Sequence, residues 1–397
     1  MISSLKIAKR MMCEVSPRAL LKAMKFSING IRAVRRFNRR LQRGDQFPAF
    51  MMISVTNRCN LACQGCWVTP TPPTDMAPAL LEQIITECQS QGGRFFGILG
   101  GEPLLHEGLL DVLAKFPGAY FQLFTNGHML SAEVAQRLRQ LGNVTPLISI
   151  EGFEHVADER RGGQGVAAKS LTAVANCRRE KLLTGVATSV CKSNFDQVVC
   201  RAFLDDLVAR GVHYAWYYIY RPMGPNPTEE LCLSPEQIRQ LRRFLVDSRT
   251  WAPIVVVDTY WDAEGQALCP AATGISYHIT PAGQVEPCPI IQCSCDRVQA
   301  DQSLVTNVEK SGYLRRFRAV AADRTRGCIL MEDPAMFSRF AREENAADSS
   351  GRDRVYDEIA AMRPRPSHDM GDDAIPERSA LYRFAKRHWF FGFGAYG

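Results

Sequence analysis

The sequence predicts an α/β fold: a parallel sheet, open or closed part-way into a barrel, followed by a smaller α+β module. Three observations predict it. Between Phe50 and Ile219 short apolar runs alternate with amphipathic helical stretches six times. The helical stretches end at glycine, a common helix stop, as in "PALLEQIITECQSQG" and "SAEVAQRLRQLG". After Pro222 the alternation gives way to Pro/Gly-rich turns with five cysteines from Cys269 to Cys328. Repeated strand and helix alternation calls for parallel strands joined by right-handed crossovers.

The elements follow in order. Residues 1–48 form an N-terminal arm with apolar residues at Leu20, Leu21, Met24, Ile28, Ile31 and Val34, a helical spacing, and Arg32, Arg35, Arg36, Arg39 and Arg40 among and after them. This reads as a basic amphipathic helix that "RGDQFP" terminates. Strands are expected at Phe50–Val55, Phe95–Leu99, Tyr120–Phe124, Leu147–Ile150, Val186–Val190 and Tyr214–Ile219, within a domain of residues 49–228. Residues 229–342 make the smaller module. Residues 343–397 are a polar connection, extended or partly mobile, ending in the basic and aromatic tail "RSALYRFAKRHWFFGFGAYG".

Composition narrows the function classes. The chain has 397 residues, 46% apolar and 22% charged, so it can bury a substantial core. No uncharged apolar run approaches a membrane span, and "MISSLKIAKRMMCEV" lacks the apolar core of a secretory signal. The expected location is cytoplasmic. Of the net charge of +7, residues 1–48 hold a surplus of ten, twelve Lys/Arg against Glu14 and Asp45. Fourteen cysteines in a chain kept reduced point to metal or catalytic thiols rather than a disulfide framework.

The densest thiol group is "VTNRCNLACQGCWVTP", where Cys59, Cys63 and Cys66 follow the first strand. A loop of this length brings three sulfurs to one centre, while iron–sulfur clusters and structural zinc both take four ligands. The missing fourth leaves a metal position open to a small molecule. Buried core thiols are the alternative reading. Spacing, the following Trp67 and the place at a strand exit closely resemble the radical S-adenosylmethionine (SAM) enzymes. The resemblance implies a (βα)6 partial TIM-type barrel, a [4Fe-4S] cluster on the three thiolates with SAM at the fourth iron, and a 5′-deoxyadenosyl radical that takes hydrogen from a substrate. A reductant such as flavodoxin or ferredoxin is implied as a partner.

Further motifs stand in the right order. In "GILGGEP" paired glycines allow close backbone approach and a carboxylate can hold an ammonium group. The resemblance makes Gly100, Gly101 and Glu102 contacts of the SAM amino group. In "ISIEG" and "DERRGG" it makes Ser149 and Glu151 strand-end contacts toward the ribose, and Arg161 or Arg160 the partner of the SAM carboxylate. The family often has Asp at Glu151. Asn126 and Asn194 are further strand-end candidates, or turn formers.

The segment "SYHITPAGQVEPC" reads as two short strands around a turn, which brings Cys288 back toward Cys269. Cys269, Gly283 and Cys288 resemble the opening of the SPASM and Twitch auxiliary-cluster domains, and Cys328 their late ligand. The resemblance implies one auxiliary [4Fe-4S] cluster on Cys269, Cys288 and Cys328, with Cys293, Cys295 or an open iron in fourth place; zinc is the alternative. Cys13, Cys88, Cys177, Cys191, Cys200 and Cys232 are expected in the core. Relatives with such domains frequently modify peptides or proteins. The basic arm, with Trp389, Phe390, Phe391, Phe393 and Tyr396, suggests instead an anionic membrane surface and a lipid or isoprenoid substrate. An RNA-modifying enzyme and a non-catalytic electron carrier are the remaining alternatives, and no catalytic side chain is assigned.

Overall fold

In the computed structural model, which describes residues 2–300 and 302–389, each predicted apolar run is a strand. These are β1 (Phe50–Ser54), β2 (Phe95–Leu99), β3 (Tyr120–Thr125), β4 (Val144–Ser149), β5 (Gly185–Val190) and β6 (Tyr214–Ile219). β4 begins three residues before its expected start. Pro146, which cannot donate to a ladder, hides the first half of the strand from a pattern reading, yet Val144 and Thr145 pair with Phe121 and Gln122.

The sheet extends beyond the six strands on both sides. β7 (Val255–Val257) adds to β6, and β8 (Ser276–Ile279) adds in parallel to the outer edge of β1. β9 (Gln284–Glu286) returns antiparallel to β8. β10 (Cys293–Ser294), β11 (Asp296–Arg297) and β12 (Ala347–Asp348) complete the set, giving the order β11-β9-β8-β1-β2-β3-β4-β5-β6-β7 and a separate β10-β12 pair. The sheet thus runs without a break across the boundary expected near residue 228. Local alternation cannot show this, because the hairpin docks on a strand more than two hundred residues earlier.

Alternate residues of the parallel strands sort into two cores, as a strand's period of two requires. Met51, Ile53, Phe96, Ile98, Phe121, Leu123, Ile148, Val186 and Val256 face the surrounding helices. Leu147, Ala187, Tyr214, Trp216 and Val257 make a second, inner core with Ala385 of the Ala380–His388 helix. At the starts of β2 and β3, Phe95 and Tyr120 stack on Phe26 at 5.0 and 4.6 Å between centroids.

Phe26 belongs to α2 (Pro17–Gln42), which follows α1 (Ile2–Glu14) and ends where "RGDQFP" was expected to stop it. Ser16 caps α2, accepting from Ala19 N at 3.4 Å. The expected apolar stripe divides. Val34 is buried with Phe26 and Phe37, whereas Leu21, Met24 and Ile28 point to solvent. Of the aromatic tail, Trp389 donates from Nε1 to Ser27 O at 3.1 Å and packs beside the inner core rather than reaching outward. Phe390, Phe391, Phe393 and Tyr396 lie outside the described residues. No helix among the described residues is long and apolar enough to cross a membrane.

Residues 343–377, expected to be extended or partly mobile, are instead anchored by polar groups. Ile375 O accepts from Arg242 at 2.8 Å, and Glu377 joins Arg242, Arg249, Asp258 and Lys386 in a fully buried charge cluster. This cluster ties the C-terminal helix to the Pro235–Trp251 helix and the end of β7. Apolar patterning misses an anchor made of ions. Removing one acid leaves three cations facing one anion, so Glu377→Gln is expected to lower stability by about 3–5 kcal/mol in urea unfolding. Burial lowers Lys386 to about 8, with Asp258 opposing. The unfolded chain then binds the proton more tightly, so this group's contribution to stability rises between pH 8 and 10.5. Lys386→Met should flatten that rise.

Candidate functional site

The strand ends that parallel-sheet proteins use for ligands gather here around one loop. After β1 the chain runs through Cys59, Cys63 and Cys66. Asn57 closes its base, donating from Nδ2 to Thr69 O (2.9 Å) and Pro72 O (2.8 Å) and accepting from Thr74 N (2.7 Å). The Glu154–Arg161 helix holds its middle: Gln64 N donates to Arg160 O at 2.9 Å and Arg160 Nη1 to Gln64 O at 3.0 Å. Gly162, at φ +70°, lies so close that a β-carbon there would stand 2.1 Å from Ala62 O.

The three thiols and Arg161 face one another. Burial raises Cys59, and raises Cys66 to about 11, with the neighbouring Cys63 adding in both cases and Arg161 opposing. Arg161 Nη1 donates to Cys63 Sγ at 3.7 Å while Nη2 pairs with Glu151 Oε1. Burial works against this guanidinium's charge, and Glu151 and Cys63 more than offset it, so its pKa is raised. Glu151 also accepts from Ser189 N at 2.9 Å, and Asn194 Nδ2 donates to its backbone oxygen at 3.0 Å. Glu151 and Arg161, assigned from sequence to separate SAM contacts, therefore form one ion pair. Arg160 is a loop support, and Ser149 stands half-buried at the end of β4.

Gly100 and Gly101 are required by the neighbouring backbone. A β-carbon on Gly101 would lie 2.2 Å from Arg58 O, and one on Gly100 2.6 Å from Thr56 O. Glu102 N donates to Arg58 O at 2.8 Å, so the turn after β2 is laced to the cysteine loop. The buried Glu102 carboxylate accepts from Thr125 Oγ1 (2.8 Å), Asn126 N (2.7 Å) and Leu104 N (3.1 Å). Three of its roughly four acceptor positions are thus filled from within. Burial raises its pKa against these bonds.

A second thiol group forms where the hairpin and later turns meet. Cys269, Cys288 and Cys328 interact electrostatically with one another: burial raises Cys269 to about 11 and Cys288 further, Cys328 adding to both. Arg221 reaches Cys328, and its Nη2 lies 3.0 Å from His368 Nδ1. Cys293 and Cys295, the sequence candidates for fourth place, sit elsewhere. Pairing of β10 with β12 puts Cys293 opposite Asp348, and the exposed Cys295 donates to Glu344 O at 3.4 Å. Cys232, expected as a core thiol, packs in the cluster that Cys328 joins and also feels Arg221. Only the fold could reveal this, since 96 residues separate the two.

The chemistry of both donor sets fits iron–sulfur clusters. Half-buried, mutually repelling thiolates become favourable beside a cationic centre, and each group has an arginine at hand to balance excess negative charge. Among the described residues no three His, Cys, Asp or Glu side chains converge as a single ion such as zinc would require. Beside the first loop opens a cavity of about 240 Å³, lined by Thr56, Trp67 and Gly100 on one side and Thr280, Gln292 and Ser349 on the other.

Residues 53–196 match the profile of the radical SAM superfamily. The Fe-coproporphyrin III synthase of Methanosarcina barkeri is 26% identical over 53% of this chain and 55% of its own. The PqqA peptide cyclase of Streptomyces rochei is 27% identical over 61% and 69%. The chain spans about half the length of the leading curated relatives it matches, or less. SuiB of Streptococcus suis, solved with its precursor peptide SuiA, shares the fold at a TM-score of 0.61 and 13% identity, over 72% of this chain and 70% of that one. The likeness to the radical SAM superfamily is that of this segment of the chain, residues 53–196.

Because Gly101 touches the backbone just before Cys59, Gly101→Ala should displace the loop. After anaerobic reconstitution we expect loss of about one [4Fe-4S] equivalent of iron per chain. Gly118→Ala, whose β-carbon would meet only the flexible end of Arg94, should keep full iron content.

Proposed function

We propose that the chain is a radical SAM enzyme whose first cluster is held by Cys59, Cys63 and Cys66. Bound there with SAM and reduced by a flavodoxin- or ferredoxin-like donor, the cluster supplies reductive cleavage to methionine and a 5′-deoxyadenosyl radical. The observation that carries this reading is the gathering of three thiols, the Gly100-Gly101 turn and the Arg161–Glu151 pair on one rim of a parallel sheet. The chain's own residues then orient and seal. The backbone of Gly100 and Gly101 and the remaining acceptor position of Glu102 receive the SAM amino group. Arg161 and Ser149 face its carboxylate and ribose, with Glu151 holding Arg161 in place. Cys269, Cys288 and Cys328 hold an auxiliary cluster.

A peptide or protein is the substrate class this reading favours. The cavity, at about 240 Å³, is smaller than the roughly 300–1,000 Å³ of whole-ligand pockets. It suits one side chain of a longer substrate better than a macrocycle. The peptide-acting relatives agree with that assignment. Replacing Cys59, Cys63 and Cys66 together by Ala should reduce 5′-deoxyadenosine formation to background. Iron binding without any cleavage in the intact protein would instead mark an electron carrier.

A second reading concerns location. Leu21, Met24 and Ile28 are each more than half exposed on α2, with Leu5 and Met12 on α1 and Leu381 and Phe384 on the C-terminal helix. Lys6, Lys9, Lys25, Arg32 and Arg35 are exposed on the same two N-terminal helices. This combination of apolar and cationic side chains suits peripheral binding to an anionic bilayer. Phe26 puts α2 at the strand starts, whereas the thiols follow the strand ends, about 15–20 Å away for strands of five or six residues. We therefore assign this face to attachment and not to delivery of a lipid substrate. Leu21→Asp, Met24→Asp and Ile28→Asp combined should weaken co-sedimentation with phosphatidylglycerol vesicles at least about tenfold, since each apolar burial is worth about 1.5–3 kcal/mol. Equal sedimentation of both proteins would remove the attachment role.

A further inference from the structure

On the inner face, where β1, β8 and β9 lie side by side, three buried polar side chains form a row. Ser54 Oγ lies 2.8 Å from His278 Nε2, and His278 Nδ1 lies 2.6 Å from Glu286 Oε2. His278 and Glu286 are direct cross-strand partners, and Met52, two residues before Ser54, is the β1 partner of His278. All three are at most 3% exposed, and all three line the cavity beside Gly100. Glu286 Oε1 accepts from Ser349 Oγ, and the indole of Trp67 stands edge-on to the imidazole at 5.7 Å.

The direction of the hydrogen bonds follows from the groups. With Glu286 ionised and the imidazole neutral, Glu286 accepts the Nδ1 proton of His278, Nε2 is left as an acceptor, and Ser54 donates to it. That order of carboxylate, imidazole and hydroxyl is the one that makes a hydroxyl basic and nucleophilic. Holding the hairpin in place does not require it, since the backbones of β1 and β8 already pair at four residues. A merely structural row would also gain nothing from opening onto a cavity.

We propose that Ser54, His278 and Glu286 form a proton relay serving a polar substrate side chain, one bearing an O–H or N–H, in this cavity. The substrate proton passes to Ser54 Oγ as the Ser54 hydroxyl proton passes to His278 Nε2. The products are the substrate's conjugate base and an imidazolium beside Glu286, and no electrons move. The assignment to a substrate rests on the radical SAM reading. On that reading the step removes the proton next to the carbon from which hydrogen is taken, which makes the carbon radical a better electron donor.

Activation of Ser54 is testable apart from any radical chemistry. The full chain, without SAM or reductant, is treated with diisopropyl fluorophosphate, and modified peptides are quantified by mass spectrometry. Ser349, whose hydroxyl shares the cavity, is the internal reference. We expect Ser54 to be labelled at least tenfold faster than Ser349, to fall to the Ser349 rate in His278→Ala, and to recover with added imidazole. Labelling of Ser54 no faster than Ser349 in the unaltered protein overturns the relay, and that comparison holds even where His278→Ala fails to fold. Labelling of Ser54 that is indifferent to His278 overturns it equally.

Discussion

Everything at the site depends on the backbone pairing along both edges of β1. One edge pairs with β2 and the other with β8, all three in parallel. Parallel strands leave a sheet at the same end, so the cysteine loop after β1, the glycine turn after β2 and the hairpin turn after β8 share one rim. Pairing with β8 also draws in the chain between Cys269 and Cys288, which is how a second thiol group comes to stand beside the first domain without any sequence nearness. Had the hairpin docked elsewhere, His278 and Ser54 would not meet.

Charge is arranged with equal economy inside the sheet. Arg161 lies between Glu151 and Cys63, so its charge is matched on one side by a carboxylate and on the other by a thiol. In the proposed function, a SAM carboxylate would meet an arginine already oriented by Glu151. At the opposite end, Arg242, Arg249, Asp258, Glu377 and Lys386 share one buried volume. Breaking such a set leaves an ion without a partner in a poorly polarisable interior, so the set behaves as one anchor.

The two ends of the strands have separate tasks. α2 and the C-terminal helix close the inner face at the strand starts, with Phe26, Ala385 and Trp389 inserted against it. The rim at the strand ends carries the thiols, the glycine turn and the cavity. The exposed apolar and cationic side chains of the N-terminal helices thus lie away from the rim that carries the thiols.

Local signals were legible in the sequence. Cys59, Cys63 and Cys66 within eight residues announced a loop of gathered thiols, two of the six strand ranges were found to the residue, and "RGDQFP" marked the end of α2. Each of these is set by neighbours in the chain: spacing, period and capping chemistry. Glu102 was also legible as a strand-end carboxylate, though not that Thr125, Asn126 and Leu104 bind it. The pairing of Glu151 with Arg161, the displacement of Cys293 and Cys295 from the second thiol group, the approach of Cys232 to Cys328, and the row of Ser54, His278 and Glu286 were decided by tertiary structure alone. They join residues on different strands or modules, and a contact across hundreds of residues leaves no periodicity in either partner. By itself the sequence determined which chemistry the chain can hold; folding decided which groups stand within a bond's length of one another, because packing and backbone pairing act on distance in space and not on distance along the chain.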